Sequence, residues 1–318
     1  MISKEVKDSL IECLQKNGLK YSLQVYSYIC SPTYIRKTYK ALQNYSPLAY
    51  PHVYSIEQLR KEYQKIQSLP GDYSMIWNRN INIHHFQPHF FEKEMQLLSD
   101  SVIHSKLLLN RKRYLFKEDI NMKEMIRGVK ISGLHNGYSH FSPLIIKKFI
   151  EDTKCESIYD PCGGWGHRLL GSGSIPYIYN DIWDKSVDGV KSMIRTHSIP
   201  NKNVYNNDCT VFTPPHEYDA VFTCPPYNNK EIYGAEEFVD NGYEQFMRDM
   251  INVSFTNKLS AKIIGIVICH DHIGLVKDMY ISQNIAIKEI IQLKKSRNHF
   301  ERNTKSVKSN EYLVIGNR

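Results

Sequence analysis

The sequence predicts an α/β fold: a parallel or mostly parallel sheet with helices on both faces. Three observations carry it. From residue 139 onward, strand-like and helix-like segments alternate. A glycine cluster, Gly163-Gly164-Trp165-Gly166, follows a short apolar run that ends at Asp160. Acidic or proline-rich residues close the next strand-like segments, at Asp181, Asp208 and Cys224-Pro225-Pro226-Tyr227. In an open sheet of this kind such strand ends line one crevice, where ligands bind.

The elements follow in order. Lys4 to Leu19 has the pattern of a short amphipathic helix, and Tyr21 to Tyr54 is rich in tyrosine and β-branched residues. Ser55 is a plausible N-cap for a helix running through Gln67, and Pro70-Gly71 stops it. An aromatic and histidine-rich stretch covers Trp77 to Phe91, and a helical pattern then spans Phe91 to Leu109. Ser142 and Pro143 open a helix with Ile145, Ile146, Phe149 and Ile150 on one face. Strands are expected at 157–159, 177–181, 203–207, 218–223, 261–269, 286–293 and 312–316. Helices are expected at 184–197, 242–259 and 273–282. Two regions result: a basic, aromatic-rich, mainly helical accessory region over residues 1–130, and the α/β domain over 131–318.

Composition narrows the setting. Hydrophobic content of 42% suits a chain with a packed core. No apolar run approaches the ~18 residues of a membrane span, and the N-terminus lacks a secretory pattern. Seven scattered cysteines without a CxxC pair point to reduced thiols and a cytoplasmic setting. The net charge of +8 is uneven. Residues 1–150 hold 22 Lys/Arg against 12 Asp/Glu, net +10. Residues 151–287 hold 11 against 18, net −7, and residues 288–318 hold 8 against 3, net +5. An acidic core between basic flanks suits a polyanion held by the flanks. Basic residues interleaved with aromatics in the N-terminal region suit nucleic acid. His84, His85 and His89 lack partners at metal-ligand spacing, so no metal is expected. His270-Asp271-His272 reads as a structural turn.

The strand ends carry the chemistry. Gly163, Gly164 and Gly166 let a ligand approach the backbone. Asp181, 21 residues after Asp160, is placed to accept from ribose hydroxyls. Asp208 is placed to accept from an adenine amino group. The spacing is neither G-x-G-x-x-G nor a P-loop, so the ligand has no phosphates for the loop to cradle. An acidic crevice suits a sulfonium better than a pyrophosphate, with Asp160 near its amino-acid portion.

Asp160-Pro161-Cys162-Gly163-Gly164-Trp165-Gly166 resembles the cofactor motif of the amino-group DNA methyltransferases, D-P-F-x-G-x-G. Thr223-Cys224-Pro225-Pro226-Tyr227 resembles their catalytic motif, (D/N/S)-P-P-(Y/F/W). Phe141-Ser142-Pro143 resembles the segment preceding the cofactor loop, and Asn310 to Gly316 the closing strand. The resemblance covers residues 138–318. It implies a Rossmann-like class I methyltransferase sheet, S-adenosylmethionine as cofactor, and duplex DNA as partner with the target base flipped out. It implies cofactor contacts at Phe141, Ser142, Asp160, Pro161, Cys162, Gly163, Gly164, Gly166, Asp181 and Asp208. Catalysis falls to Cys224 and the Pro225 carbonyl as acceptors for the amine hydrogens, Pro226 as loop stiffener, and Tyr227 as stacking ring. Two positions depart from the pattern. Cys162 replaces phenylalanine, and Cys224 replaces Asp, Asn or Ser. Cysteine is closest in size to serine, which favours cytosine N4 over adenine N6. The alternatives are an RNA or other amino-group methyltransferase on the same fold, and an inactive nucleic-acid-binding module. Attack of Cys224 on a pyrimidine ring, as in C5-methylating enzymes, is disfavoured because the cysteine precedes the prolines. The Asn228–Glu231 loop and the basic Lys294–Lys308 segment are candidate target contacts.

Overall fold

The computed structural model describes residues 54–74, 81–100, 122–132, 134, 141–227, 242–293 and 310–318, with isolated helical residues between 103 and 111. The chain divides into two compact units: residues 1–52 with 91–138, and residues 53–90 with 139–318.

The second unit holds the sheet. Its strands are β1 (Ile158–Asp160), β2 (Tyr177–Asn180), β3 (Lys202–Tyr205), β4 (Ala220–Thr223), β5 (Ile263–Cys269), β6 (Ala286–Gln292) and β7 (Glu311–Asn317). Their order is β3-β2-β1-β4-β5-β7-β6. The pairs β1–β2, β1–β4, β2–β3 and β4–β5 are parallel. Strand β7 runs antiparallel to both β5 and β6. Chain direction therefore reverses once, in the last hairpin, and the sheet is mostly parallel as expected.

Burial explains which residues form the central strands. Ile158, Tyr159, Tyr177, Ile178, Tyr179, Ala220, Val221, Phe222, Ile264, Ile266 and Val267 are all buried. Continuous apolar runs of this kind belong to strands covered on both faces. The helices of this unit are, in chain order, α1 (Ile56–Ser68), α2 (Ile81–Phe86) and, after the first unit's helices, α5 (Pro143–Thr153), α6 (His167–Gly171), α7 (Asp184–His197), α8 (Gly242–Ile251) and α9 (Ile273–Ser282); α1 and α2 pack against other helices, among them α7. Helix α5 starts as expected, with Ser142 as N-cap accepting from the Leu144 N–H and Pro143 in the first turn. Helix α1 carries a full capping box, Ser55 with Gln58. Helix α8 is shorter than the 242–259 pattern suggests. It passes into a wider, π-type turn over Asn252–Thr256, where the Ser254 hydroxyl donates to the Met250 carbonyl.

Residues 54–90 group with the sheet for a visible reason. The Lys147 ammonium of α5 donates to the carbonyls of Ile66, Gln67 and Leu69 at the end of α1. These are carbonyls a helix end leaves without internal partners. The Gln67 side chain donates to the Leu170 carbonyl (2.7 Å), and the Asp72 N–H to the Leu144 carbonyl (3.1 Å). Gly71 lies so close to α5 that a Cβ there would sit 2.3 Å from the Lys148 nitrogen.

In the first unit, α3 (Glu92–Ser99) and α4 (Met122–Ile131) are helical. The pattern that predicts one helix over Phe91–Leu109 is broken at Asp100. This residue is extended, and its carboxylate accepts from the Ile103 N–H (3.0 Å). An aspartate with this geometry favours a new helix start over continuation. Arg111, almost fully buried, is paired with Glu124 of α4. The Lys4–Leu19 helix and the Lys294–Lys308 segment lie outside the described residues, as do Trp77 and the 228–231 loop.

Candidate active site

The glycine-rich turn leaves β1 and is tied to its neighbours at nearly every residue. The Gly163 N–H donates to the Asn180 carbonyl at the end of β2 (2.7 Å). The Gly164 N–H donates to Asp181 Oδ2 (2.7 Å), and the Gly164 carbonyl accepts from the Tyr179 hydroxyl. Gly164 and Gly166 have positive φ, +57° and +88°, where a side chain would be strained. Gly163 is required for space instead, because a Cβ there would lie 2.1 Å from the Tyr179 ring. Gly163→Ala is expected to cost about 1–3 kcal/mol through overpacking. Thermal melts check this, and an unchanged midpoint would refute the packing account.

Asp160 differs from the expectation. It is fully buried. Its Oδ2 takes the Arg168 Nε–H (2.7 Å) and the Tyr177 hydroxyl (2.6 Å), and Oδ1 takes Arg168 Nη2 (3.3 Å). The carboxylate thus serves the loop from beneath and does not open onto the strand-end crevice. Arg168 is the residue the sequence reading missed. It is 5% exposed and stands over the Phe141 ring at 5.2 Å. It also donates to the Cys162 carbonyl. One guanidinium thereby joins the end of β1, the loop and the segment before α5. It is the second residue of α6, eight residues after Asp160, and an arginine just past a strand-end aspartate and its turn is the signal that could have found it.

Phe141 and Ser142 are buried. Phe141 packs edge-on to Phe222 of β4 at 6.4 Å, and Ser142 is spent on the α5 cap. Pro161 is buried, and its carbonyl accepts from the Asn180 amide (3.1 Å). Asp181 is partly exposed and accepts from the Gly164 and Trp183 N–H groups (2.7 and 2.9 Å). Burial pushes its pKa up, and the two N–H bonds pull against that. Asp208 is exposed, and its Oδ1 accepts from the Thr210 N–H and hydroxyl (2.9 and 2.7 Å). Ile182 and Val211, just past Asp181 and Asp208, are apolar yet 68% and 76% exposed.

The catalytic-type tetrapeptide leaves β4, the strand beside β1. The two motifs touch directly: the Cys162 N–H donates to the Thr223 hydroxyl (3.3 Å). Cys224 is partly exposed, Pro225 buried and Pro226 partly exposed. The Tyr227 hydroxyl lies 3.3 Å from the Cys224 sulfur. The Tyr227 ring is only 8% exposed and belongs to the core cluster. Stacking on a base would require that ring to turn outward.

Residues 81–90 buttress the loop from outside. The buried Gln87 amide donates to the carbonyls of Trp165 (3.3 Å) and Ser186 (3.0 Å). His89 packs against Trp165 and Trp183 at 5.1 and 4.6 Å, and Phe90 against Trp165 at 4.9 Å. The histidine-rich stretch is therefore packing around the loop. His270-Asp271-His272 forms a 3-10 turn before α9, with His272 against Tyr243 and His270 against Tyr312.

His167, at the start of α6, is 3% exposed, and its pKa is driven down to about 3 by burial, with the Arg168 charge next. The folded value lies below the ordinary one near 6.5, so the unfolded chain protonates first as pH falls. This contribution to stability is complete above pH 6.5 and is lost progressively from 6.5 toward 3. The loss from this group between pH 7 and 5 is expected to be about 2 kcal/mol. Urea midpoints at the two pH values measure it, and His167→Gln should flatten the difference.

Strand order and the single reversed strand define the Rossmann-like class I methyltransferase fold. Among solved structures the chain is similar to TrmN from Thermus thermophilus, at 12% identity and TM-score 0.42, over 55% of this chain and 48% of that one. It thus spans about half the length of TrmN. It is also similar to magnesium protoporphyrin IX methyltransferase from Synechocystis PCC 6803 with S-adenosylmethionine bound, at 10% identity and TM-score 0.40, over 66% and 90%. A third likeness is to a Listeria monocytogenes protein assigned to the class I S-adenosylmethionine-dependent methyltransferases, at 14% identity and TM-score 0.42, over 82% and 88%. These are likenesses of fold alone. No family model matches the sequence, and no curated protein is significantly similar to it.

Proposed function

We propose that the chain transfers a methyl group from S-adenosylmethionine to an exocyclic amino group of a base in DNA, cytosine N4 before adenine N6. The observation that carries this reading is the hydrogen bond between Cys162 and Thr223, which joins the glycine-rich loop to the Cys-Pro-Pro-Tyr strand end. A methyl donor on one motif and an amine on the other would be neighbours there.

The residues fit the cofactor. Asp181 retains acceptor capacity for ribose hydroxyls, since each carboxylate oxygen has two lone pairs. The exposed Ile182 and Val211 supply apolar surface at the ends of β2 and β3 for a flat purine ring. Asp160 and Arg168 hold the loop's shape from below. The bound cofactor supplies an electrophilic methyl carbon on a positive sulfur. The chain's own residues then position the amine. The Pro225 carbonyl and the Cys224 sulfur accept its two hydrogens, which favours a more tetrahedral nitrogen with its lone pair free. The cofactor would supply that methyl carbon to the nitrogen so held and keep the C–S electron pair on its sulfur, and the surplus amine proton would leave to solvent.

The basic segments on both sides of an acidic core suit a polyanion, DNA or RNA alike, and DNA is put first because the two motifs resemble those of the amino-group DNA methyltransferases. The deciding experiment is transfer of a tritiated methyl group to duplex DNA, single-stranded DNA and RNA, followed by nucleoside mass spectrometry. N4-methylcytosine or N6-methyladenine is the expected product. Methylated RNA alone would move the substrate, 5-methylcytosine would sink the amine mechanism, and cofactor binding without any transfer would leave a binding module.

A further inference from the structure

Three sulfurs meet beneath the cofactor loop. Cys162 Sγ lies 3.6 Å from Cys209 Sγ and 3.7 Å from Met250 Sδ. Cys162 belongs to the loop after β1, and Cys209 follows Asp208 after β3. These strands are not neighbours, since β2 lies between them. The last residue of β2 sets the separation. The Asn180 amide donates to the carbonyls of Pro161 (3.1 Å) and Asn207 (2.9 Å), and its oxygen accepts from the Asn207 N–H (3.1 Å). The backbone is thus pinned one residue before Cys162 and two residues before Cys209. The two thiols are held in contact across the end of the strand that carries Asp181. Both are free in this structure.

We propose that Cys162 and Cys209 are an oxidant-sensitive modification site, forming a reversible disulfide that closes the cofactor crevice. The inference rests on the cofactor reading of this loop given above. A disulfide needs the sulfurs at about 2.05 Å, so they must approach by about 1.5 Å. Cys209 sits in the core cluster among Tyr159, Tyr218 and Ile178, whereas Cys162 is partly exposed on a loop. The loop side therefore moves. Its displacement acts on Gly163 and Gly164, whose N–H groups contact Asn180 and Asp181, and on the Cys162–Thr223 bond between the two motifs.

The oxidant is a hydroperoxide, ROOH. One thiol, as thiolate, attacks the peroxide: an S–O bond forms, the O–O bond breaks, and ROH leaves with a proton. The second sulfur attacks the sulfenic sulfur, forming the S–S bond and expelling the hydroxyl, which takes the remaining thiol proton and leaves as water. Two thiols and one hydroperoxide thus give one disulfide, one alcohol and one water. The contact with Cys209, then burial, holds the Cys162 thiol above its ordinary pKa, and the Asp181 and Asp160 carboxylates add to this. The raised pKa slows every reagent that needs the thiolate, while the burial of Cys209 and partial burial of Cys162 admit a small oxidant more readily than a bulky alkylating agent.

The full chain is treated with hydrogen peroxide, unfolded in denaturant containing N-ethylmaleimide, and digested without reductant. The expected product is a Cys162 peptide joined to a Cys209 peptide, two hydrogens lighter than their sum. In parallel, calorimetry with S-adenosylhomocysteine should show affinity falling by about tenfold or more on oxidation and returning with a thiol reductant. Cys209→Ser should bind as the reduced wild type does and lose the oxidant response. Recovery of both cysteines as maleimide adducts, separate oxidation of each to a sulfinic acid, or a cross-link with unchanged affinity would each overturn the proposal. Absence of binding in the reduced wild type would instead refute the cofactor reading, and peptide mapping remains a separate measurement.

Discussion

Asp160→Ala is expected to lower the stability of the sheet unit by about 3–5 kcal/mol, because it leaves a buried guanidinium without its counter-charge. Arg168 is 5% exposed, and Asp160 is fully buried. The Tyr177 hydroxyl loses its acceptor in the same change. Cofactor affinity should vanish with it, since Arg168 also fixes the Cys162 carbonyl and stands over Phe141. Chemical denaturation and calorimetry with S-adenosylhomocysteine read the two effects separately. A paired change, Asp160→Asn with Arg168→Met, removes both charges and should recover part of the stability without restoring affinity. A double variant no more stable than Asp160→Ala would argue against the stranded charge as the cause.

Pro225→Ala should do the opposite. Binding of S-adenosylhomocysteine should persist within a few-fold, because the loop after β1 is untouched. Turnover should fall by about 10²-fold or more, the cost of misplacing a reacting group by about 1 Å. Pro225 is buried between the partly exposed Cys224 and Pro226. On the proposed reading, its fixed φ and the restriction Pro226 places on the residue before it stiffen the backbone that would present this carbonyl to the amine. Rates close to wild type would remove the tetrapeptide from the mechanism. Cys224→Ser completes the comparison, because a hydroxyl is a stronger acceptor than a thiol. Its activity should equal or exceed the wild type, and a complete loss would mean that the sulfur has a role of its own.

Much of this was legible in the chain because the sheet is mostly parallel. Strands buried on both faces leave largely apolar runs, and β1, β2 and β4 end at the polar residues Asp160, Asn180 and Thr223. Asp184–His197 and Ile273–Ser282 appear with the expected limits. The π-type turn after Ile251 was not legible, because residues 252–259 carry helix-compatible periodicity and nothing in the pattern marks a change of pitch. The direction of Asp160 was not legible either. A carboxylate at a strand end looks the same in sequence whether it faces the crevice or the core. Only the burial of Arg168 and Tyr177 beneath it decides the matter. The same holds for the sulfurs of Cys162 and Cys209, 47 residues apart and brought together by the alignment of β1, β2 and β3.

The bonds from Lys147 to the end of α1 bear on how this protein can be cut. A fragment beginning at residue 131 keeps every strand among the described residues and both sequence motifs. It also leaves the Lys147 ammonium facing three absent carbonyls, and it removes the Gln87 amide from behind Trp165. Burial lowers the Lys147 pKa, and the three carbonyls that offset this desolvation are lost together with α1. A fragment intended to carry the catalytic machinery alone should therefore retain residues 54–90. Here the boundary of the folding unit follows hydrogen bonds and not the order of the chain.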